Sequence, residues 1–225
     1  MNTVKPLILA IETSTRVCSV ALRSRGGEVS EVRSEERGMH AEHLFNFIDR
    51  ILKEQQAAAD ELDALLVSRG PGSYTGLRIG ASAVKGLLFG RETPLWSVST
   101  LASFAYTAFE TREQLERIHA VIDARRKHLY HQLFQVSGDQ LVEASEIAAR
   151  PIGEIQKELK PGEGLIGTGL KRIEESARAQ LETFDYTHIT ARSQIRLFET
   201  HRNTPFITRE DPAGYDPRYY SEEQY

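Results

Sequence analysis

Cysteine is almost missing from this chain. Cys18 is the single one in 225 residues, so no disulfide can form within the chain and a reducing compartment is expected. No apolar run approaches the ~20 residues of a membrane span. The opening MNTVKPLILAIETS lacks the apolar core and small-residue cleavage site of a secretory leader, so a cytoplasmic location is expected. A basic excess is missing too: 28 Lys and Arg stand against 32 Asp and Glu, a net charge of −4. That argues against a broad phosphate-gripping face, although it leaves a local basic patch open. Low-complexity linkers and short-period repeats are absent. What is present, 40% hydrophobic and 27% charged residues, fits a globular chain long enough for one large domain or two small ones.

Leu7–Ile11 and Val17–Arg23 are apolar runs split by the polar turn ETSTR, which predicts a hairpin, with Glu28–Ser34 as a third strand. MHAEHLFNFIDRILKEQQ sets His43, Leu44, Phe47, Ile48, Ile51 and Leu52 at helical spacing, with Phe45 off that stripe. Asp63–Ser68 predicts a buried strand running into a glycine-rich loop. Thr75–Phe89 predicts a helix, Pro94–Val98 a strand and Ser99–Thr111 a helix. The second half begins again with strand, turn and strand: Ile118–Asp123, the basic turn ARRK, and Leu129–Val136. Helices are expected at PIGEIQKELK, Lys171–Leu181 and Gln194–His201, and a strand at EGLIGTGL. This echo suggests two α/β lobes, residues 1–103 and 104–225, with the last segment free to return to the first lobe.

The stretch SRGPGSYTGLRIGASAVKG, Ser68 to Gly86, invites a phosphate-loop interpretation. No Lys-Ser or Lys-Thr follows a glycine at Walker spacing. Gly70, Gly72 and Gly76 give GxGxxxG with no suitably placed acid, so the dinucleotide fingerprint fails as well. Gly72, Gly76 and Gly80 recur every four residues, and with Ala83 they leave one helical face nearly bare. Each helical glycine costs roughly 1 kcal/mol of propensity, so a close backbone approach is expected in return. The partner in that approach is either the chain's own sheet or another polypeptide. The apolar opposite face, with Leu77, Val84, Leu87 and Leu88, favours the second.

ILAIETSTRVCSVAL, SRGPGSYTGLRIGASAVKGLLFG, VSTLASFA, AVIDARRKHLY and GTGL follow in that order. Together they resemble the TsaB family, also called YeaZ, over the chain to about residue 170. The resemblance implies an actin/hexokinase/Hsp70-like α/β fold of two lobes, each a mixed sheet flanked by helices. It implies a non-catalytic scaffold or activator subunit of the complex that forms N6-threonylcarbamoyladenosine beside the anticodon of ANN-decoding tRNAs. The implied partners are a TsaD-like catalytic subunit and a TsaE-like ATPase, with a homodimer when TsaD is absent and tRNA reached only indirectly. In the family, the glycine-rich helix and the one before it meet TsaD. Here that implies an interface built from His43, Leu44, Phe45, Phe47, Gly76, Gly80, Ala83, Val84 and Leu87. The tail DPRYYS is similar only loosely to the family's, and PAGY is extra sequence before it.

TsaD binds its metal through two histidines separated by three residues. Over this chain they fall on Thr100 and Phe104, which leaves no metal site there. His40 and His43 share a helical face but lack the HExxH arrangement; the apolar stripe accounts for His43 and the helix start for His40. His128 and His131, three apart in a strand, point to opposite faces. No nucleophile elbow surrounds Ser14, Ser73 or Ser99, and Cys18 is expected to be a buried small hydrophobe. In actin-like folds the first hairpin turn cradles phosphate, which makes Glu12, Thr13 and Ser14 candidate contacts, with Arg125 in the second turn. ATP or ADP at the partner interface stays open; no other cofactor is implied. The alternatives are a stand-alone ATP-binding enzyme of the actin/hexokinase class and a metallopeptidase.

Overall fold

A run of five consecutive buried residues needs cover on both sides, and β1, Ile8–Glu12, is such a run. In the computed structural model, which describes residues 4–36 and 38–220, β1 pairs antiparallel with β2 (Cys18–Arg23), and β2 with β3 (Val29–Ser34). β4 (Ala64–Ser68) lies parallel to β1 on its other side, followed by β5 (Leu95–Val98). Two helices cover this sheet, α1 (His40–Glu54) and α2 (Tyr74–Leu88). Leu9, Ile11, Val20, Leu22, Leu65 and Val67 form one core with Leu44, Ile48, Ala83 and Val84 from those helices. Each large side chain fully enclosed there contributes about 1.5–3 kcal/mol.

The second unit repeats the plan. After α3 (Thr100–Thr111) come β6 (Arg117–Asp123) and β7 (His128–Ser137), an antiparallel hairpin. β8 (Gln140–Glu143) and β9 (Ala148–Pro151) both pair with β7. After α4 (Ile152–Glu158), β10 (Gly164–Gly167) returns parallel to β6. A short α5 (Glu175–Arg178) leads to β11 (Glu182–Phe184), parallel to β10. The helix expected over Lys171–Leu181 is only this one turn and a 3-10 turn at Leu170–Arg172. Its few large apolar residues give no continuous face to bury, and short helices without one do not persist.

The chain then returns: α6 (Arg192–His201) and β12 (Ile207–Glu210) belong to the first unit. Among the described residues, contact within each unit divides the chain into those from Val4 to Ser99 with Thr190–Arg218, and Thr100–Ile189 with Tyr219 and Tyr220. β12 extends the first sheet antiparallel to β5, giving the order β12-β5-β4-β1-β2-β3, and α6 packs on β1, β2 and β4. Alternation along the strands turns Ile8, Ala10 and Leu66 away from the core under α1 and α2. Each unit is thus a mixed sheet flanked by helices, the actin/hexokinase/Hsp70-like fold that the resemblance implied.

The extra PAGY segment also finds a place. The Asp211 carboxylate accepts the amides of Ala213 (3.3 Å) and Gly214 (3.0 Å), an Asx-type turn. That turn delivers Tyr215, 3% exposed, into the first unit's core, where its hydroxyl lies 3.4 Å from the Ser68 carbonyl. Among the described residues, no helix is long and apolar enough to cross a membrane.

Candidate functional site

The β1–β2 turn closes on itself. Glu12, Thr13 and Ser14 are fully buried. The Ser14 amide donates to the Glu12 carboxylate at 2.6 Å and the Ser14 hydroxyl donates to the same oxygen. Gln194 on α6 donates at 3.3 Å to the other carboxylate oxygen and at 3.0 Å to the Ile11 carbonyl. The Ser14 carbonyl accepts the Ser73 amide at 2.6 Å. The groups expected to meet phosphate therefore face one another. Burial outweighs these hydrogen bonds and raises the Glu12 carboxyl from 4.5 to about 7. Thr13 Oγ1 and Gln194 Oε1 are enclosed without a hydrogen-bond partner among the described residues.

The glycines of α2 make this closure possible. A Cβ on Gly76 would overlap the Thr13 carbonyl oxygen, and one on Gly80 would lie 2.6 Å from Thr13 Oγ1. The bare face thus packs on the chain's own first turn, and the expectation that it meets another polypeptide is corrected. Ala83 and Val84 are 0% exposed, and Leu44 lies beside them in the core. Of the nine expected interface residues, Leu44, Gly76, Gly80, Ala83 and Val84 are enclosed; His43, Phe47 and Leu87 are half-buried. Phe45 alone stands out, 53% exposed.

Phe45 is not isolated. With Ala41 of α1 and Tyr74, Thr75, Arg78, Ile79 and Ser82 of α2 it lines a groove of about 380 Å³. Tyr74 is 60% exposed and carries the Arg78 guanidinium 5.5 Å from its ring centroid. Sequence reasoning missed these α2 residues because it took the apolar and small positions as the contact face. Ser73 accepts the Gly76 amide as N-cap, which fixes the phase of the helix and turns Tyr74 and Arg78 outward.

Arg125 sits in the second unit in an exposed turn. Arg125 and Arg126 both hold left-handed backbone, φ +71° and +47°, an uncommon state for these residues. The turn is tied to Asp123, which accepts the Arg125 amide at 2.8 Å and pairs with Arg172 at 2.6 Å. Thr100 and Phe104 lie on α3, fully buried and one turn apart, and neither side chain is a plausible metal ligand there. His40 Nε2 contacts the Val17 carbonyl at 3.2 Å while Glu42 is exposed.

The histidines that do converge lie elsewhere. His119 on β6 and His131 on β7 are fully buried, with His119 Nδ1 3.0 Å from His131 Nε2. His119 Nε2 is 2.9 Å from Glu163, which pairs with Arg117 at 3.1 Å. Arg150 lies 3.5 Å from His131 Nδ1. One proton placement satisfies every nitrogen: Arg150 donates to His131, His131 to His119, and His119 to Glu163. Burial keeps both rings neutral, lowering His119 and taking His131 to about 3. This network ties strands together. Its signal was legible once the ARRK turn was centred, because residues 119 and 131 are then diagonal neighbours on one face of the hairpin.

Cys18, on β2, is 1% exposed, and burial followed by the nearby Glu12 charge pushes its thiol up to about 12. Its thiolate population falls roughly a thousandfold from that of an ordinary cysteine. Native protein should therefore react with Ellman's reagent only on the timescale of unfolding, and at once in denaturant. Rapid labelling of the native state would contradict this environment.

Comparison with known proteins agrees with the geometry. The family model described as TsaD, tRNA N6-adenosine threonylcarbamoyltransferase, matches residues 21–193. A Haemophilus influenzae protein named tRNA threonylcarbamoyladenosine biosynthesis protein TsaB is 41% identical over 123 residues, 55% of this chain and 51% of that one. The Escherichia coli protein of the same name is 34% identical over 166 residues, 72% of this chain and 71% of its own. The matched region spans about half the length of several of these curated relatives. The structure of YeaZ from Pseudomonas aeruginosa superposes with a TM-score of 0.79 at 27% identity, covering 96% of this chain and all of that one. With the sealed first turn, the buried Thr100 and Phe104, and these relatives in view, the chain belongs to the TsaB (YeaZ) family, within the wider group that the TsaD model describes.

Proposed function

We propose that this protein is a non-catalytic subunit in the formation of N6-threonylcarbamoyladenosine in tRNA, and that it docks a TsaD-like catalytic subunit through the α1–α2 groove. The groove around Phe45 and Tyr74 carries the proposal. It combines two exposed aromatic rings with an adjacent guanidinium, the composition of an interface hot spot. The names of the relatives supply the pathway, and a threonine and a phenylalanine where TsaD has its metal histidines support a role without chemistry of its own. A second copy of the chain occupies the same groove when the partner is absent, by an isologous contact. A TsaE-like ATPase completes the assembly.

Phe45→Glu places a charge at the centre of the groove without entering the core. This variant should fold as the parent does by circular dichroism, and should elute apart from the TsaD-like subunit in size-exclusion chromatography. Reconstituted tRNA modification by TsaD and TsaE should then fall to the level seen without this chain. Continued co-elution of Phe45→Glu with TsaD would overturn the docking face.

A further inference from the structure

At the end of the first sheet opposite the 12–15 turn, where β1, β4 and β5 begin and β2 ends, a cleft of about 870 Å³ opens. Its volume suits a small organic ligand. Five cations face it, Lys5, Arg23, Arg25, Arg196 and Arg202, against only two carboxylates, Asp63 and Glu199. Both carboxylates are already engaged. Asp63 accepts the Leu7 amide at 2.7 Å and pairs with Arg25 at 3.1 Å. Glu199 pairs with Arg23 and, at 3.6 Å, with Arg196. Arg23 is structural: it is 5% exposed and also donates twice to the Pro6 carbonyl, at 3.1 and 3.0 Å.

Arg202 is held differently. Its guanidinium lies 4.5 Å from the Trp96 ring centroid and 4.9 Å from that of Phe198, and those rings meet edge to face at 5.3 Å. Among the described residues, no acid or carbonyl accepts its N–H groups. Stacking fixes the plane of the fork and leaves its donors for another acceptor. Lys5 likewise has no side-chain partner among the described residues. The C-terminal end of α6 adds partial negative charge, which Arg202 at the C-cap offsets. A surplus of three positive charges in one concavity, with a planar guanidinium pre-set, matches a phosphate.

We propose that this cleft binds the phosphate of a nucleotide, either free or within an RNA strand, with Arg202 as the bidentate contact and Arg196 and Lys5 as supporting charges. The volume leaves room for a nucleoside beyond the phosphate, and Trp96, Phe198 and Pro94 supply an apolar wall for it. The RNA source rests on the tRNA role proposed above. The free-nucleotide source does not.

Trp96 is the single tryptophan of the chain, so its fluorescence reports this cleft directly. The full chain is titrated with AMP, with a short oligoribonucleotide and with inorganic phosphate. Saturation by AMP with a Kd of about 1 mM or tighter marks a free nucleotide; saturation by the oligoribonucleotide alone marks RNA. Either supports the site, provided that binding weakens with added salt and is roughly tenfold weaker in Arg202→Ala. Arg202→Lys, which keeps the charge and loses the fork, should fall between. If Arg202→Ala does not fold, Arg196→Ala, at a half-buried position of α6, provides the same comparison. The proposal is overturned if neither nucleotide ligand saturates, if inorganic phosphate binds as tightly as AMP, or if the folded variants bind like the parent. Co-elution with TsaD is measured separately, so failure here leaves the docking groove untouched, and the reverse.

Discussion

Gly76→Ala should unfold at a temperature lower than the parent by about 10 °C, while Gly86→Ala, ten residues further along the same helix, should unfold at the same temperature or slightly higher. Both changes add one methyl group and improve helix propensity by up to ~1 kcal/mol. They differ in what the methyl meets. At Gly86 nothing lies within 4 Å. At Gly76 the methyl overlaps the Thr13 carbonyl oxygen, part of the backbone of the first turn, which is itself fixed by Glu12, Ser68 and Ser73. The helix must lift from the sheet, which costs roughly 3–5 kcal/mol by the usual scale of overpacked cores and strained backbone. For a chain of this size that corresponds to a drop of about 10 °C. Thermal melts followed by circular dichroism decide the matter: equal melting temperatures would mean that α2 does not rest on this turn.

The second large effect is a stability that declines as the solution becomes more alkaline. Glu12 has a folded pKa of about 7 against an ordinary value of 4.5, because burial penalises its charge. The fold therefore prefers the protonated acid. Its stabilisation is complete below pH 4.5 and is lost as pH rises through 7, about 3 kcal/mol in all. His119 and His131 act in the opposite direction: their lowered values destabilise the fold as pH falls below 6.5. A raw pH profile thus mixes the two, and comparison with Glu12→Gln separates them. The amide keeps an acceptor for the Ser14 amide and carries no charge. Urea midpoints of the parent and variant should diverge between pH 5 and pH 8, with the variant gaining on the parent by up to about 3 kcal/mol. Parallel curves across that range would mean that the carboxylate is accommodated as an anion.

The repeated strand–turn–strand plan was legible because apolar runs with β-branched residues, split by short polar turns, leave few other options. The amphipathic stripe of α1 was equally clear: Leu44, Ile48, Ile51 and Leu52 are buried as their spacing requires. What escaped detection were β8, β9, β11 and β12, strands of four residues or fewer with little alternation to register. The small face of α2 was assigned to another polypeptide, and not to the first turn, for a physical reason. Small residues at four-residue spacing announce a close approach, but the pattern is identical whether the neighbour is the chain's own hairpin or another molecule. Only the position of Thr13 beneath Gly76 and Gly80 distinguishes them, and that is a long-range fact. The cleft beside Trp96 was invisible for a similar reason, since its cations are drawn from residues 5 to 202 and meet only when α6 returns.

That return has a consequence for how the protein is made. A ribosome delivers the first hundred residues with α1, α2 and most of a sheet in place, yet one flank of that sheet waits for α6, its edge for β12, and its interior for Tyr215. Residues Thr100–Ile189 of the other unit are synthesised meanwhile. Throughout that interval apolar strand surface destined for α6 stands open to water, and a chaperone able to shelter such a surface would find its client there, in the half-made chain.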